Sequence, residues 1–241
     1  MTAHYHDLAE NAGNVEGPHY ILPDIRPETL RAKVSADRTR GFYPAVIKRG
    51  LDSFLVLLAA PIVLPLILIM AVLVALDGHN PFYNQPRVGR NGRIYTMWKL
   101  RSMVPDADAR LQDYLETCPK VRAEWDSTQK LKDDPRITRI GLFLRKSSAD
   151  ELPQLWNVLT GDMSLVGPRP MMPEQEILYP GHAYYALRPG ITGYWQISDR
   201  NHTTFAARAK YDTRYAAELS LTTDLAVLLK TVAVVLHGTG Y

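Results

Sequence analysis

The segment from Asp134 to Pro170 holds the densest chemistry in the sequence, because two adjacent carboxylates, Asp150 and Glu151, stand among basic residues. The basic residues of this segment are Arg136, Arg139, Arg145, Lys146 and Arg169. They exceed what the carboxylates of the segment need as partners, and the planar guanidinium group is the preferred fork for phosphate oxygens. The composition therefore predicts an active site that handles phosphate.

The acidic pair can supply two different functions. Adjacent residues on a helix point about 100° apart, so that one carboxylate could attack a substrate while the other holds a metal ion. A carboxylate nucleophile suits phosphorus chemistry, since it forms an acyl phosphate labile enough to pass its phosphoryl group on. The alternative for the Ser-x-x-Glu pattern that begins at Ser148 is an ordinary helix cap.

Two interpretations of the local pattern place the pair at the start of a helix. Either Ser148 caps the helix and Glu151 closes a capping box, or Asp150 is the cap and Pro153 lies in the first turn. The residues that then recur with helical period are Leu152, Leu155, Trp156 and Leu159. We expect the helix to bury this stripe and to leave the acidic pair at its exposed end.

Two further segments carry candidate binding residues. The stretch NPFYNQPRVGRNGRIYTMWKLRSM predicts a hairpin-like reversal and then a strand, Ile94 to Met97, that ends in Lys99 and Arg101. We expect both cations to face phosphates, although a solvated basic rim fits the pattern equally well. In LRPGITGYWQISDRN, two glycines allow the backbone to approach a ligand beside Arg188, and a tight turn with a surface arginine is the alternative.

A membrane anchor is predicted before these segments. From Ser53 to Leu76 no residue is charged, which meets the roughly 20-residue requirement for crossing a hydrocarbon core. Pro61 and Pro65 interrupt the run and favour a kink. Both flanks are basic, and a simple span would carry one of them across the membrane against the preference of positive flanks for the cytoplasmic side. A bent helix that enters and leaves by the same face avoids this, while a plain kinked span is the alternative.

Three other helices are predicted, from 106 to 118, from about Thr204 to Ser220, and from about Thr222 to His237. One face of the last helix is lined by Leu221, Leu225, Leu228, Leu229, Val232 and Leu236. This helix is too short to span a membrane and should lie on the membrane surface or pack on the core. Asp224, near its start, is either a helix-start carboxylate or a member of the site.

Composition excludes several classes of protein and site. The chain of 241 residues has ordinary apolar content, and its net charge of +3 does not argue for nucleic acid. Cys118 is the only cysteine, which excludes an intrachain disulfide and a cysteine-based zinc site. The scattered histidines lack the spacing of a catalytic zinc site. Residues 1–43 are polar and predict an extended or weakly ordered tail.

The segment LRKSSADELPQLWNVLTGDMSLVGPRP resembles the signature of the bacterial sugar transferases, the monotopic polyprenyl-phosphate phosphoglycosyl transferases of the small single-domain type. The likeness runs from about Lys48 to the C-terminus. In the reaction that it implies, a nucleotide-diphosphate sugar gives its sugar phosphate to the aspartate of the pair, with magnesium on the glutamate. Polyprenyl phosphate then takes the sugar phosphate.

The resemblance assigns roles to individual residues. Asp150 matches the nucleophile and Glu151 the magnesium ligand. Other positions that match functional residues of the family are Arg145, Arg169 and Asp224, and Arg188 falls on the nucleotide-sugar side. Leu64-Pro65 aligns with the dipeptide that breaks the family's re-entrant helix.

We therefore expect a mostly helical α+β fold with a tail (1–43), a re-entrant membrane helix (44–78) and a cytoplasmic catalytic domain (79–241). The implied location is the cytoplasmic face of the bacterial inner membrane. The implied partners are a UDP-sugar, polyprenyl (undecaprenyl) phosphate and membrane lipids, with Mg2+ as cofactor and no nucleic acid. Such an enzyme would start an exopolysaccharide, O-antigen or other glycan. The oligomeric state is open, a homodimer included, and a non-catalytic membrane scaffold or a phosphatase is the competing function.

Overall fold

The computed structural model describes residues 43–128, 131, 133–198 and 205–236, so the predicted tail lies outside the described residues except for Tyr43. The helices are α1 (Lys48–Ala75), α2 (Ala107–Thr117), α3 (Pro119–Thr128), α4 (Arg139–Ser147), α5 (Gln154–Thr160), α6 (Ala183–Ala186), α7 (Arg208–Glu218) and α8 (Leu221–Leu236). The strands are β1 (Phe82–Val88), β2 (Ile94–Leu100), β3 (Ser164–Val166) and β4 (Gly190–Thr192), which form two small sheets. The mostly helical α+β class is thereby confirmed.

Helix α1 is the one helix among the described residues that is long and apolar enough to cross a membrane. It continues as one α-helix through Pro61 and Pro65, the two positions at which a kink is predicted. Each proline removes only one backbone hydrogen bond, and the turns on either side keep their own pairing. The exposed apolar side chains in its middle include Leu57, Leu58, Ile62, Leu64 and Leu68. This apolar exposure indicates that the protein associates with a membrane.

The N-terminal end of α1 is fixed to the rest of the chain by charged and polar side chains. Lys48 Nζ lies 2.5 Å from Asp224 Oδ2, and both side chains are buried. One turn later, Ser164 Oγ donates a hydrogen bond of 2.6 Å to Asp52 Oδ2. Val56 continues this contact into an apolar cluster with β2 and α5.

The C-terminal end of α1 is fixed to the same domain. Ala71 and Val74 pack in a cluster with Leu100 of β2 and Leu144 of α4. Beyond the helix, the guanidinium group of Arg101 forms a two-pronged ion pair with Asp77, with N···O distances of 2.7 and 2.8 Å. The same group donates to the carbonyl oxygens of Val74 and Asn80.

Strands β1 and β2 form the predicted hairpin. They pair antiparallel from Phe82 opposite Leu100 to Val88 opposite Ile94, and a short turn at Arg90–Gly92 reverses the chain. Asn91 adopts a left-handed conformation in this turn, which asparagine tolerates better than most residues. The hairpin carries the end of β2, and with it Lys99, toward α5.

Strands β3 and β4 pair in parallel and leave no room for side chains where they meet. A β-carbon built on Gly190 or on Gly193 would overlap the backbone of Gly167. The glycines of the β4 segment therefore serve a close approach of two chain segments, and not the predicted approach to a ligand. This packing fixes the loop after β3, which carries Arg169.

The predicted helices after Pro105 are present, with ends that differ by a few residues. Helix α2 ends at Thr117, and Pro119 is the first residue of α3. Among the side chains of α8 that the structure describes, which do not include Leu236 of the predicted face, Asp224 and Val227 are buried and Leu228 is partly buried against the core. Most of the predicted apolar face is exposed: Leu221, Leu225, Leu229 and Val232. Of the two predicted placements, packing on the core is seen for Val227 and Leu228, while contact of the exposed side with a membrane surface stays a prediction.

Candidate active site

A tight turn between α4 and α5 holds the acidic pair. Ser148 ends α4 in a left-handed conformation, with φ of 55°, and its N–H donates to the carbonyl of Arg145. A single helical turn, Ala149–Glu151, follows before α5 begins at Gln154. A left-handed non-glycine residue costs roughly 1–2 kcal/mol, so the surrounding packing imposes this conformation on the turn.

This geometry corrects both predicted helix starts. Ser148 makes no side-chain capping hydrogen bond, and Asp150 lies before α5 and not at its N-terminus. The buried positions of α5 are Gln154, Asn157 and Val158, whereas Trp156 of the predicted stripe is 61% exposed. Leu155 and Leu159 of the stripe are partly buried against the core, so the stripe adjoins the buried face, two of whose positions carry amides. Asp150 itself is buried, contrary to the expected exposed end.

The ammonium group of Lys99 lies near both carboxylates. Its Nζ lies 2.8 Å from Glu151 Oε1 and 3.7 Å from Asp150 Oδ2. The ammonium group thus pairs closely with the glutamate and more loosely with the aspartate. Asp150 Oδ2 is therefore less closely paired than Glu151 Oε1.

Arg169 and Arg145 complete the positive surroundings of the pair. Arg169 Nη2 lies 4.0 Å from Glu151 Oε1, and Arg169 also acts electrostatically on Asp150. Arg145 acts on Asp150 from α4, and its Nε donates a 2.9 Å hydrogen bond to Ser102 Oγ. Ser102 is thus a positioning residue that the sequence analysis did not identify.

Burial raises the pKa of the Asp150 carboxyl above its ordinary value, and the neighbouring Glu151 charge acts in the same direction. Lys99, Arg145 and Arg169 oppose this shift. The balance gives a carboxylate that is partly desolvated yet surrounded by cations. A poorly hydrated carboxylate of this kind is a better nucleophile than one that water solvates fully.

The side chain of Asn157 fixes α5 to the strand that carries Lys99. Its Nδ2 donates to the carbonyl of Thr96, and its Oδ1 accepts from the N–H of Trp98, at 2.8 and 3.1 Å. Both groups of a buried amide are therefore satisfied. The only signal in the sequence was a polar residue within an apolar stretch, LWNVL.

Two arginines bind the carbonyl groups at the C-terminal end of α5. Arg49, from α1, donates to the carbonyls of Val158 and Leu159. Arg188 Nε donates to the carbonyl of Gly161 at 3.1 Å. Cations at this position complement the helix dipole and satisfy carbonyls that lack an intrahelical partner.

Of the residues predicted to bind phosphate or nucleotide-sugar, the structure brings Lys99, Arg145 and Arg169 to the pair. Arg101 instead binds the end of α1, and Arg188 binds the end of α5. Asp224 lies in a buried network away from the pair, where it accepts hydrogen bonds from Lys48, Tyr43 and Tyr215. Arg101, Arg188 and Asp224 therefore each hold two elements of the fold together.

A cavity of about 230 Å³ opens beside the acidic pair. Its lining includes Glu151, Arg169, Ile191 and Gln196, together with Thr231 of α8. A larger cavity of about 460 Å³ lies between α7 and α8, around Tyr211 and Lys230, and contains neither carboxylate. The smaller cavity is therefore the one that adjoins the pair, and it is lined by Glu151 but not by Asp150.

The described residues contain no group of three or more His, Cys, Asp and Glu side chains that could hold a metal ion by themselves. Magnesium commonly uses one or two carboxylates and takes its remaining ligands from substrate phosphates and water. Glu151 meets that requirement with one carboxylate, so the donor set fits a magnesium ion that arrives with a diphosphate.

Comparison with known protein families gives a match over nearly all of the sequence described above. Residues 43–238 match the family model described as bacterial sugar transferase. The matched range contains α1, the hairpin, the acidic pair and both C-terminal helices.

Curated relatives agree with this match and differ in length. The chain is 46% identical over 196 residues to a UDP-galactose-lipid carrier transferase of Erwinia amylovora, which covers 80% of this chain and 41% of the relative. It is 43% identical to the undecaprenyl-phosphate galactose phosphotransferase of Salmonella typhimurium, again covering 41% of that protein. The exopolysaccharide production protein ExoY of Sinorhizobium fredii is 42% identical, with 88% of its length covered. The chain thus spans less than half of two of these relatives and most of the third.

Proposed function

Because the chain belongs to the bacterial sugar transferase family, we propose that it transfers a sugar-1-phosphate from a UDP-sugar to undecaprenyl phosphate through a phosphosugar on Asp150. This would be the initiating membrane step of exopolysaccharide, O-antigen or another glycan. The observation that carries the proposal is the position of the buried Asp150 carboxylate beside Lys99, with Arg145 and Arg169 acting on the same carboxylate.

The reaction consists of two displacements at one phosphorus atom. In the first, an Asp150 oxygen bonds to the β-phosphorus of the donor, and the bond to the bridging oxygen breaks with its electron pair leaving on UMP. In the second, an oxygen of undecaprenyl phosphate bonds to the same phosphorus and the acyl phosphate bond breaks, which restores Asp150. Both steps balance in charge without a proton transfer. Cations around the phosphorus stabilise the charge that builds up on its oxygens.

Glu151 is the residue that would hold magnesium, with diphosphate oxygens as further ligands. When bound, magnesium neutralises charge on the diphosphate and makes the phosphorus a better electrophile. Lys99 is hydrogen-bonded to Glu151 at 2.8 Å and orients that carboxylate. Arg169, whose Nη2 lies 4.0 Å from Glu151 Oε1, would offer a planar fork to phosphate oxygens.

We further assign residues 44–78 to a re-entrant membrane helix and 79–241 to a catalytic domain on the cytoplasmic face of the inner membrane. Support comes from the contacts of α1, whose first turn and last turn both bind the same domain. A straight helix of 28 residues would be about 42 Å long and would carry its ends to opposite sides of a roughly 30 Å core. A domain on one side binds both ends only if the helix bends, and Pro61 and Pro65 lie where a bend is needed. The exposed stripe of α8 would rest on the same surface.

The test of the nucleophile uses Asp150→Asn, which keeps volume and removes nucleophilicity. UDP-galactose labelled in the sugar, offered with magnesium and without lipid, should leave label on the wild-type protein and release about one UMP per active site. Undecaprenyl phosphate should then move the label to lipid. Asp150→Asn should retain no label, whereas Asp162→Asn, a carboxylate change in the same segment, should behave as wild type.

The outcomes separate the competing functions. Transfer by Asp150→Asn at a near-native rate would refute the nucleophile assignment. Continuous UMP release without lipid would indicate a phosphatase, and the absence of UMP release from a panel of UDP-sugars would indicate a non-catalytic scaffold. Full activity in excess EDTA would remove magnesium from the mechanism.

A further inference from the structure

Three arginines from distant parts of the chain lie close to one another, and one of them, Arg169, lies beside the acidic pair. Arg87 comes from β1, Arg169 from the loop after β3, and Arg208 from the first residue of α7. Each acts electrostatically on at least one of the others as a like charge. The guanidinium carbons of Arg169 and Arg208 lie 5.6 and 4.3 Å from the centre of the Trp195 ring. One aromatic ring thus carries two of the three cations.

Among the residues that the structure describes, the carboxyl groups that act on this cluster carry less negative charge than the three arginines carry positive charge. The carboxyl group that acts on Arg208 is Asp212, and burial raises the pKa of this carboxyl to about 7. Glu151, 4.0 Å from Arg169, is already paired with Lys99. Three cations therefore face one carboxylate that is shared and one that is partly protonated at neutral pH.

Hydrogen-bond donors of the cluster are also unused. The Nε atoms of Arg87 and Arg208 are buried and have no hydrogen-bond partner among the residues that the structure describes. Of the remaining donors on Arg87, Nη2 binds Gln85 Oε1 at 2.6 Å. A buried N–H of a charged group that lacks an acceptor is costly, and a tetrahedral oxyanion supplies several acceptors at once.

We propose that Arg87, Arg169 and Arg208 form one phosphate subsite that holds, in turn, the phosphate of the departing UMP and the phosphate of the incoming undecaprenyl phosphate. This inference rests on the proposed function. Both ligands are phosphate monoesters, and Arg169 connects the subsite to the pair because it reaches Glu151 on one side and Trp195 on the other.

The chemistry of the two displacements requires the two phosphates to share a position. In an in-line displacement the attacking and leaving oxygens lie on opposite sides of the phosphorus. UMP leaves opposite Asp150 in the first step, and the lipid phosphate must attack opposite Asp150 in the second. The oxygen of one therefore takes the place of the oxygen of the other, and a single set of cations stabilises both.

The test measures binding of each phosphate by itself, in detergent, to the full chain carrying Asp150→Asn, so that no turnover occurs. UMP and undecaprenyl phosphate should each bind, and each should displace the other. Adding Arg208→Gln should weaken both affinities by at least about tenfold, the usual effect of losing a charged hydrogen bond. Arg214→Gln is the matched control, since Arg214 lies on the same helix, with a side chain 70% exposed, and pairs with Glu218.

Arg87→Gln provides a second variant in case Arg208→Gln fails to fold, which the thermal midpoint of each protein would reveal. Simultaneous binding of UMP and undecaprenyl phosphate would overturn the shared subsite, as would a loss of affinity for only one of them. Unchanged affinity for both in the two variants would remove these arginines from the site. Failure of the proposed function is a separate result, because it would appear in the wild-type protein as no UMP release from any UDP-sugar.

Discussion

The carboxyl group of Asp212 should make the stability of the protein depend on pH. It is buried between Tyr179, whose hydroxyl donates to Oδ2 at 2.7 Å, and Arg208. Burial raises the pKa of this carboxyl from an ordinary value of 3.8 to about 7, against the opposing effects of both neighbours. A shift of this size corresponds to roughly 4 kcal/mol of unfolding free energy.

The direction in which the unfolding free energy changes with pH depends on whether Asp212 ionises first in the folded or in the unfolded protein. Below pH of about 4, Asp212 is protonated in the folded and unfolded protein alike. Between pH 4 and 7 the unfolded chain ionises first, so the unfolding free energy falls, and above pH 7 the loss is complete. Asp212→Asn removes this dependence while retaining an oxygen that accepts from Tyr179.

The assay is the thermal midpoint of the purified proteins in one detergent at pH 4, 6 and 8. For a chain of this size, 4 kcal/mol corresponds to roughly 8–16 °C. From pH 4 to pH 8 the midpoint of the wild type should fall by about this amount relative to Asp212→Asn. Asp113→Asn, a change at an exposed carboxylate, should follow the wild type. Parallel curves for wild type and Asp212→Asn would refute the reasoning.

Three further predictions concern the acidic pair and its supports. Lys99→Met should move the acid limb of the kcat profile to higher pH, because Lys99 lowers the pKa of Asp150; an unmoved limb would contradict this. Gly141→Ala should lower stability by about 1–3 kcal/mol, since a β-carbon would overlap the carbonyl of Ser102, whereas Gly50→Ala meets open space and should not. Lys48→Met should lower the unfolding free energy by about 3–5 kcal/mol, because it leaves the buried Asp224 carboxylate without its cationic partner. Adding Asp224→Asn should recover part of this loss, and the thermal midpoints of the single and double variants test both expectations.

Local patterns in the sequence predicted local elements well. The β1–β2 hairpin follows from a turn sequence between alternating residues, and α2, α7 and α8 follow from composition and period. The concentration of cations near Asp150 was also visible, because Arg145 and Arg169 lie within one segment. Lys99 was identified because it ends a predicted strand.

The remaining features depend on contacts between distant parts of the chain. The left-handed conformation of Ser148 is imposed by packing, and a capping-box pattern does not reveal it. Arg101 and Asp224 were predicted as candidate binding residues, because their partners, Asp77 and Lys48, lie far from them in sequence. For the same reason Arg87 and Arg208 stood out only once the fold brought them to Arg169.

The ion pair between Lys48 and Asp224 has a consequence for biosynthesis. The two residues are 176 positions apart, so the ribosome makes the membrane helix long before it makes the partner of Lys48. Until α8 is synthesised and docks, the Lys48 ammonium group must stay hydrated, because a buried charge without a partner is unstable. A nascent chain that ends before Asp224 would contain α1 and the acidic pair, but the first turn of α1 would lack its ion-pair partner.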